Sequence, residues 1–207
     1  MVAAGSGDRF GGPKQWMPLR GRRVLEWSVD AARTAGVGVV LVVPLGDLDR
    51  NDLPLVDSVV AGGSTRSASV RAGLSAVPSD AEIVVVHDAA RPLAGPALFA
   101  ATIAAVAGGA AGAVCAVPVT DTLKRVVGSD VVATVPRDGL WAVQTPQAFR
   151  AGLLREAHST EPDATDDAGL VEALGHVVRV VPGDRRNVKI TDPVDLAVAE
   201  ALLGGGG

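Results

Sequence analysis

At 207 residues the chain is long enough for one well-buried domain and cramped for two, and its 48% hydrophobic content suits a single large core. A net charge of −4 argues against a nucleic-acid or anionic-membrane binder, which needs a basic face, and 3% aromatics with no tyrosine remove the stacking platform of a single-strand binder. The single cysteine, Cys115 in GAVCAVPV, excludes a disulfide framework and reads as a buried structural thiol. No signal-peptide pattern or membrane-length apolar run is present, so the expectation is a cytoplasmic protein.

The chain opens on a glycine-rich loop, Ala3 to Lys14, AAGSGDRFGGPK. Gly5, Gly7, Gly11 and Gly12 permit close backbone approach, so that successive N–H groups can converge on phosphate oxygens, and Arg9 and Lys14 add full charges. The spacing is neither a Walker A loop nor a dinucleotide fingerprint, and by itself the loop fits an ordinary glycine turn as well as a phosphate cradle. Only Met1 and Val2 precede it to supply a strand. Either the first strand is unusually short or the native start lies upstream.

Arg23 to Ala35 has helical spacing, with Gly36 as its C-cap, and Val37 to Val43 is a continuous apolar run suited to a strand covered on both faces. Residues 45–56 read as a loop with a short helix. Ser58 to Ala61 reads as a strand entering a second glycine turn at Gly62 and Gly63. Ser64 is placed to cap a helix from Thr65 to Val77. Ile83 to Val86 is a third strand, ending in His87-Asp88-Ala89-Ala90-Arg91-Pro92, where open α/β sheets place their ligands. A salt-linked loop around Asp88 and Arg91 is the plainer alternative.

Pro96 to Val106 predicts a helix and Ala113 to Val117 a buried strand. Thr120 to Val135 alternates around Gly128-Ser129-Asp130 and predicts an inserted hairpin, too small to stand alone and therefore packed on something outside its own sheet, most naturally a second subunit. Leu140 to Val143 returns to the sheet, and Gln147 to His158 predicts an amphipathic helix. Thr165-Asp166-Asp167 caps a further helix to Leu174, Val177 to Val181 is a strand, and Lys189 lies between apolar neighbours. Asp192-Pro193 starts the last helix, and the terminal glycines 204–207 are expected to be disordered. Alternating strands and helices over residues 1–203 predict one doubly wound, Rossmann-like α/β domain with an inserted β-hairpin arm.

No metal-cage spacing or nucleophile elbow is present, and His158 and His176 read as surface residues. What stands out is a set of cations at predicted loop ends: Arg9, Lys14, Arg91, Lys124, Arg137 and Lys189. Such a set suits phosphoryl or nucleotidyl transfer, in which catalysis is mostly positioning and charge neutralisation.

Seven blocks in order, AAGSGDR with PK downstream, AGGSTRSASVRAGL, HDAARP, PVTDTLKR, RDGLWAVQTPQAF, TDDA and NVKIT, resemble the 2-C-methyl-D-erythritol 4-phosphate cytidylyltransferases of the non-mevalonate isoprenoid pathway, from about Ala3 to Leu202. The resemblance implies a nucleotidyltransferase domain that moves a cytidylyl group from CTP to the phosphate of methylerythritol 4-phosphate and releases pyrophosphate. It implies Mg²⁺ held chiefly by the triphosphate. Arg9 and Lys14 match positions that stabilise the pentavalent transition state. Ala3, Ala4, Gly5 and Gly7 match the nucleotide wrap, and Gly63, Ser64 and Ser69 match contacts to base and ribose. Asp88 matches a position near the ribose, the acceptor or the metal, and Arg91 belongs to the same block. Thr122, Arg137, Thr145, Thr165 and Lys189 match positions around the acceptor, with Arg137 and Lys189 on the attacking phosphate. The hairpin from about Val119 to Arg137 matches an arm that completes the other monomer's site, which implies a homodimer.

Two departures stand beside the resemblance. The family usually has a full strand and a proline before AAGSG, and Ser64 stands where Asp is common. A cytidylyltransferase for another polyol phosphate, such as ribitol 5-phosphate, and a nucleotide-binding paralogue without catalysis remain open as alternatives.

Overall fold

The computed structural model describes residues 1–7, 9–160 and 163–205. A small antiparallel pair, β1 (Pro18–Leu19) and β2 (Arg22–Arg23), leads into α1 (Val24–Thr34), followed by β3 (Val40–Val43), β4 (Ser58–Ala61), α2 (Arg66–Ser75), β5 (Ile83–Val86) and α3 (Pro96–Ala107). The second half contributes β6 (Gly112–Pro118), the hairpin β7 (Leu123–Val127) and β8 (Asp130–Val135), β9 (Trp141–Arg150), α4 (Ala151–Ala157), α5 (Asp167–Ala173), β10 (Val178–Pro182) and α6 (Pro193–Gly204).

The sheet is joined at a single residue. Val2 bridges Val42 of β3 on one side and Asp88, just beyond β5, on the other, both in parallel. Around it the ladder is regular: the Met1 amine donates to the Val40 carbonyl, Val42 N–H to Met1 and Ala3 N–H to Val42, while Val2 N–H donates to His87 and Ala89 N–H to Val2. In space the order is β4, β3, Val2, β5, β9, β6, β10, with β9 antiparallel to both its neighbours and the other pairs parallel. The chain runs outward from Val2 to β3 and β4 and then returns to β5 on the other side. This makes Val2 the switch point at which doubly wound folds bind ligands.

Strand periodicity sorts the core into two layers. Leu41 and Val43 of β3 pack with Leu25, Val29 and Phe99 from α1 and α3, and Ala113, Cys115 and Ala148 extend that layer. Residues of opposite parity, Val84, Val86, Val114 and Phe149, pack with Val70 and Leu74 of α2, Leu154 of α4 and Val171 of α5. Helices thus cover both faces.

Four expectations change. Gln147 to Arg150 continues β9 rather than starting a helix, which begins only at Ala151. Two flanking strands claim those residues, since Val86 to Ile83 pair with Gln147 to Arg150, and Phe149 lies so close over Gly112 that a Cβ there would meet its ring. The cap of α2 is Thr65, whose hydroxyl accepts from Ala68 N–H, and not Ser64. His158, expected at the surface, is 4% exposed, with Nε2 3.0 Å from Asp167 Oδ1, because α4 ends against α5. The last helix runs to Gly204 with Gly205 as its C-cap, and Gly206 and Gly207 lie outside the described residues.

Two further features matter below. The β7–β8 hairpin turns at Gly128 (φ +60°) and leaves Val126, Val127, Val131 and Val132 between 51% and 66% exposed. Between β3 and β5, on the amino side of Val2, lies an apolar groove of about 440 Å³ that passes between the two helix layers.

Candidate active site

On the carboxyl side of Val2 the same inter-strand gap opens into a cleft of about 510 Å³. Its floor is Val2, Ala3 and Ala4, one wall is Gly63 to Arg66 with Ser69, the other is Asp88 to Ala90, and Lys14 and Lys189 reach in from the rim. The loop that carries Lys14 is set by a tight turn, in which the N–H groups of Phe10, Gly11 and Gly12 all converge on the Gly7 carbonyl. Gly7 sits at φ +75°, and a Cβ there would overlap the Gly12 carbonyl, so this position requires glycine. Those three amides therefore hold the turn together instead of pointing at a ligand. The far end of the loop is anchored by Trp16, whose indole donates to Asp47 Oδ2 (2.9 Å) and whose ring lies 4.2 Å from the Arg50 guanidinium.

The second glycine turn is shaped by Ser69, whose hydroxyl accepts from Gly63 N–H (3.2 Å) and donates to the Thr65 carbonyl (2.9 Å). Any Cβ on Gly62 would overlap the Ala4 methyl, so the two glycine loops touch at the cleft. Arg66, at the first turn of α2, was not singled out from the sequence. Its guanidinium joins Asp88 (Nε–Oδ1 3.2 Å) to Asp167 (Nη1–Oδ2 2.9 Å).

Asp88 is the hub. It is 8% exposed, and its second oxygen lies 2.6 Å from Lys189 Nζ. Burial alone would raise its pKa, but Arg66 and Lys189 prevail and hold the carboxyl far below the usual range. Its backbone is fixed from beneath, where Asp88 N–H donates to Thr145 Oγ1 (3.0 Å) and that hydroxyl meets His87 Nδ1 (3.1 Å). Burial holds His87 down to about 3, so it stays neutral. An unbroken line of contacts thus runs from Lys189 through Asp88, Arg66 and Asp167 to His158.

Lys189 is brought to Asp88 by a stapled loop. Arg91 Nη1 donates to the Asn187 carbonyl (2.8 Å), Asn187 Nδ2 donates to the Thr145 carbonyl (2.9 Å), and Ile190 N–H donates to Ala90 (2.8 Å). Arg91 and Thr145 therefore support the cleft from behind and are not among its lining residues. Lys14 has its pKa lowered by burial first, then by Lys189 and Arg9, a crowding of cations that an anion would relieve. Arg9 itself is exposed. Thr122, Arg137 and Thr165 are also exposed and lie outside the cleft lining, Thr122 and Arg137 flanking the hairpin, where the Arg137 guanidinium holds the Thr120 carbonyl. Among the lining residues Asp88 is the one carboxylate.

Comparison with known proteins agrees with this geometry. The family profile for 2-C-methyl-D-erythritol 4-phosphate cytidylyltransferase matches residues 1–205. The chain is 47% identical to the cytidylyltransferase of that name from Deinococcus radiodurans, over 98% of this chain and 87% of that one, and 45% identical to the one from Dechloromonas aromatica, over 97% and 94%. The crystal structure of the Thermus thermophilus enzyme of that name superposes with a TM-score of 0.84 at 40% identity, covering 97% of this chain and 96% of that one. With two glycine loops meeting over a cationic cleft at the switch point of a doubly wound sheet, this chain belongs to the 2-C-methyl-D-erythritol 4-phosphate cytidylyltransferase family.

Proposed function

We propose that the cleft transfers a cytidylyl group from CTP to 2-C-methyl-D-erythritol 4-phosphate, giving the diphosphocytidyl product and pyrophosphate, in a cytoplasmic route to isoprenoid precursors. The observation that carries this reading is the convergence of Lys14, Lys189, Arg66 and Asp88 with both glycine loops on one cleft. Ala3, Ala4 and Gly5 offer backbone to the triphosphate, and Gly63, Ser64 and Ser69 shape the wall for base and ribose. An oxygen of the acceptor phosphate attacks the α-phosphorus in line as pyrophosphate leaves. Arg9 and Lys14 meet the negative charge that grows there, while Lys189 holds the acceptor phosphate. A divalent cation such as Mg²⁺ would neutralise the leaving pyrophosphate, and a lone Asp88 beside substrate phosphates is a donor set that suits it.

The reading includes a homodimer. The exposed valines of the hairpin need cover, and Arg137 and Thr122 stand at the arm, outside their own cleft, so they serve the partner's. Mixing Arg137→Ala with Lys189→Ala protein tests this. If the cleft is shared, half the mixed dimers' sites are intact, and about a quarter of wild-type activity returns. If each cleft is complete within one chain, the mixture stays inactive.

Pyrophosphate release from CTP and Mg²⁺ tests the reaction itself, with methylerythritol 4-phosphate and ribitol 5-phosphate supplied in parallel. Release driven by the first acceptor is expected. Release with ribitol 5-phosphate alone moves the assignment to that acceptor, and binding of CTP with release from neither makes the chain a nucleotide-binding paralogue.

A further inference from the structure

The ladder between β6 and β9 slips at one place. Val114 pairs with Gln147 and Ala116 with Val143, so opposite the single residue Cys115 stand three of β9: Gln144, Thr145 and Pro146. Such a bulge takes the surplus residues out of the ladder and re-aims their side chains, which is why bulges recur beside active sites. The buried Cys115 thiol donates to the Pro146 carbonyl (3.2 Å) and ties the bulge to its partner strand. Thr145, next to it, accepts from Asp88 N–H (3.0 Å). Gln144 reaches a different element, the loop that carries Lys189.

Gln144 is 7% exposed, and both ends of its amide are occupied by that loop. Its Nε2 donates to the Asp184 carbonyl (2.8 Å), and its Oε1 accepts from Asp184 N–H (3.3 Å) and from Asn187 Nδ2 (3.2 Å). With Asp184 this is the two-bond exchange of an antiparallel rung, made by a side chain just after β10 has ended at Pro182. Gly183 permits the close approach, since a Cβ there would lie 2.6 Å from Gln144 Oε1. Lys189 follows Asn187 by two residues, and Ile190 N–H is fixed on the Ala90 carbonyl, so the backbone is held on both sides of it. The Lys189 side chain is itself 40% exposed, an ammonium on a flexible stem, and its aim depends on where that backbone is pinned.

We propose that Gln144 is a positioning residue for Lys189, and that the β9 bulge sets both members of the Lys189–Asp88 pair together, Asp88 through Thr145 and Lys189 through Gln144. The inference rests on the reading of Lys189 as the group that holds the acceptor phosphate. Gln144 is not among the residues that line the cleft, so it acts through the loop and not on substrate. Two adjacent residues of one strand thereby fix a 2.6 Å contact between groups 101 residues apart in the chain.

Gln144→Leu and Gln144→Glu in the full chain test this. Leucine keeps the bulk and removes all three bonds, whereas glutamate can still accept from Asp184 N–H and Asn187 but sets a carboxylate oxygen against the Asp184 carbonyl. In both variants hydrogen exchange at the amides of Asn187 and Ile190 is expected to quicken by about tenfold, with exchange in β5 unchanged. The KM for methylerythritol 4-phosphate is expected to rise by about tenfold while that for CTP stays within about twofold. A merely structural role would lower the melting temperature and the fraction of active enzyme, hence kcat, and leave the acceptor KM where it was. That pattern would overturn the proposal, and so would unchanged exchange at Asn187 and Ile190 in both variants. If the unsubstituted chain turns over no methylerythritol 4-phosphate, the assigned reaction falls, and the exchange rates alone still decide whether Gln144 holds the loop of Lys189.

Discussion

The gap between β3 and β5 has two ends of opposite character, divided by one residue, Val2. On its carboxyl side the cleft is lined by glycines, hydroxyls and four charged side chains, whereas on its amino side the groove is almost wholly apolar. Both ends are built from the same strands. The difference arises because the apolar runs of β3 and of its neighbour β4 (Ser58–Ala61), like that of β5 (Ile83–Val86), stop near the level of Val2, where β4 gives way to GGST and β5 to HDAARP. A doubly wound sheet thus concentrates polar chemistry where its strands end and leaves packing to their beginnings.

Removing charge from the polar end separates chemistry from folding. Arg9→Ala or Lys14→Ala is expected to lower kcat by two or more orders of magnitude, because each withdraws charge that matters most in the transition state. Both side chains are at least partly exposed, so the melting temperature should hardly move. Near-normal turnover in both variants would remove them from the proposed roles.

Cutting the support behind the cleft should mix the two effects. Asp167 is 1% exposed and holds both Arg66 and His158, so Asp167→Asn is expected to destabilise the fold by about 1–3 kcal/mol and to raise KM for CTP more than it lowers kcat. Arg66 acts here as a positioning residue, turned toward Asp88 by a carboxylate it reaches across the cleft wall. An Asp167→Asn enzyme with unchanged KM would show that Arg66 needs no such support.

A smaller effect probes the apolar end. The unfolded chain keeps its α-ammonium proton to about pH 8, while the folded chain releases it near 6, so in that window the unfolded state binds more protons. Stability should therefore rise with pH from 6 to 8, by on the order of 2 kcal/mol for a shift of that size from 8.0 to about 6. Acetylating Met1 should flatten the profile. By contrast Asp88, whose carboxyl is held low, keeps its contribution throughout this range and loses it only in strong acid, well below the usual carboxylate pKa.

The parts of this architecture that local patterns encode were legible in the sequence. The β-branched runs and the Asp192 cap of the last helix each depend on residues close in the chain, and they form as the patterns predict, whereas the glycine loop closes on itself, with the amides of Phe10, Gly11 and Gly12 bonded to the Gly7 carbonyl. What escaped was long-range. Gln147 to Arg150 has helix-compatible spacing, and only the strand edges on both sides hold it extended. Arg66 reaches Asp167 across 101 residues, and nothing local marks that pair. The one available signal was an arginine directly after the cap of a helix that starts at a strand end. His158 lies nine residues from Asp167 in sequence, yet its burial depends on how α4 and α5 pack, which the pattern of neither helix reveals.

The most direct measurement is the crystal structure of the complex with CTP and Mg²⁺. The triphosphate is expected inside the Ala3–Lys14 loop, with Lys14 Nζ in hydrogen-bond reach of its oxygens and the cytosine against Gly63 to Ser69. A nucleotide seated anywhere else, with Lys14 still facing solvent, would contradict the assignment of the cleft.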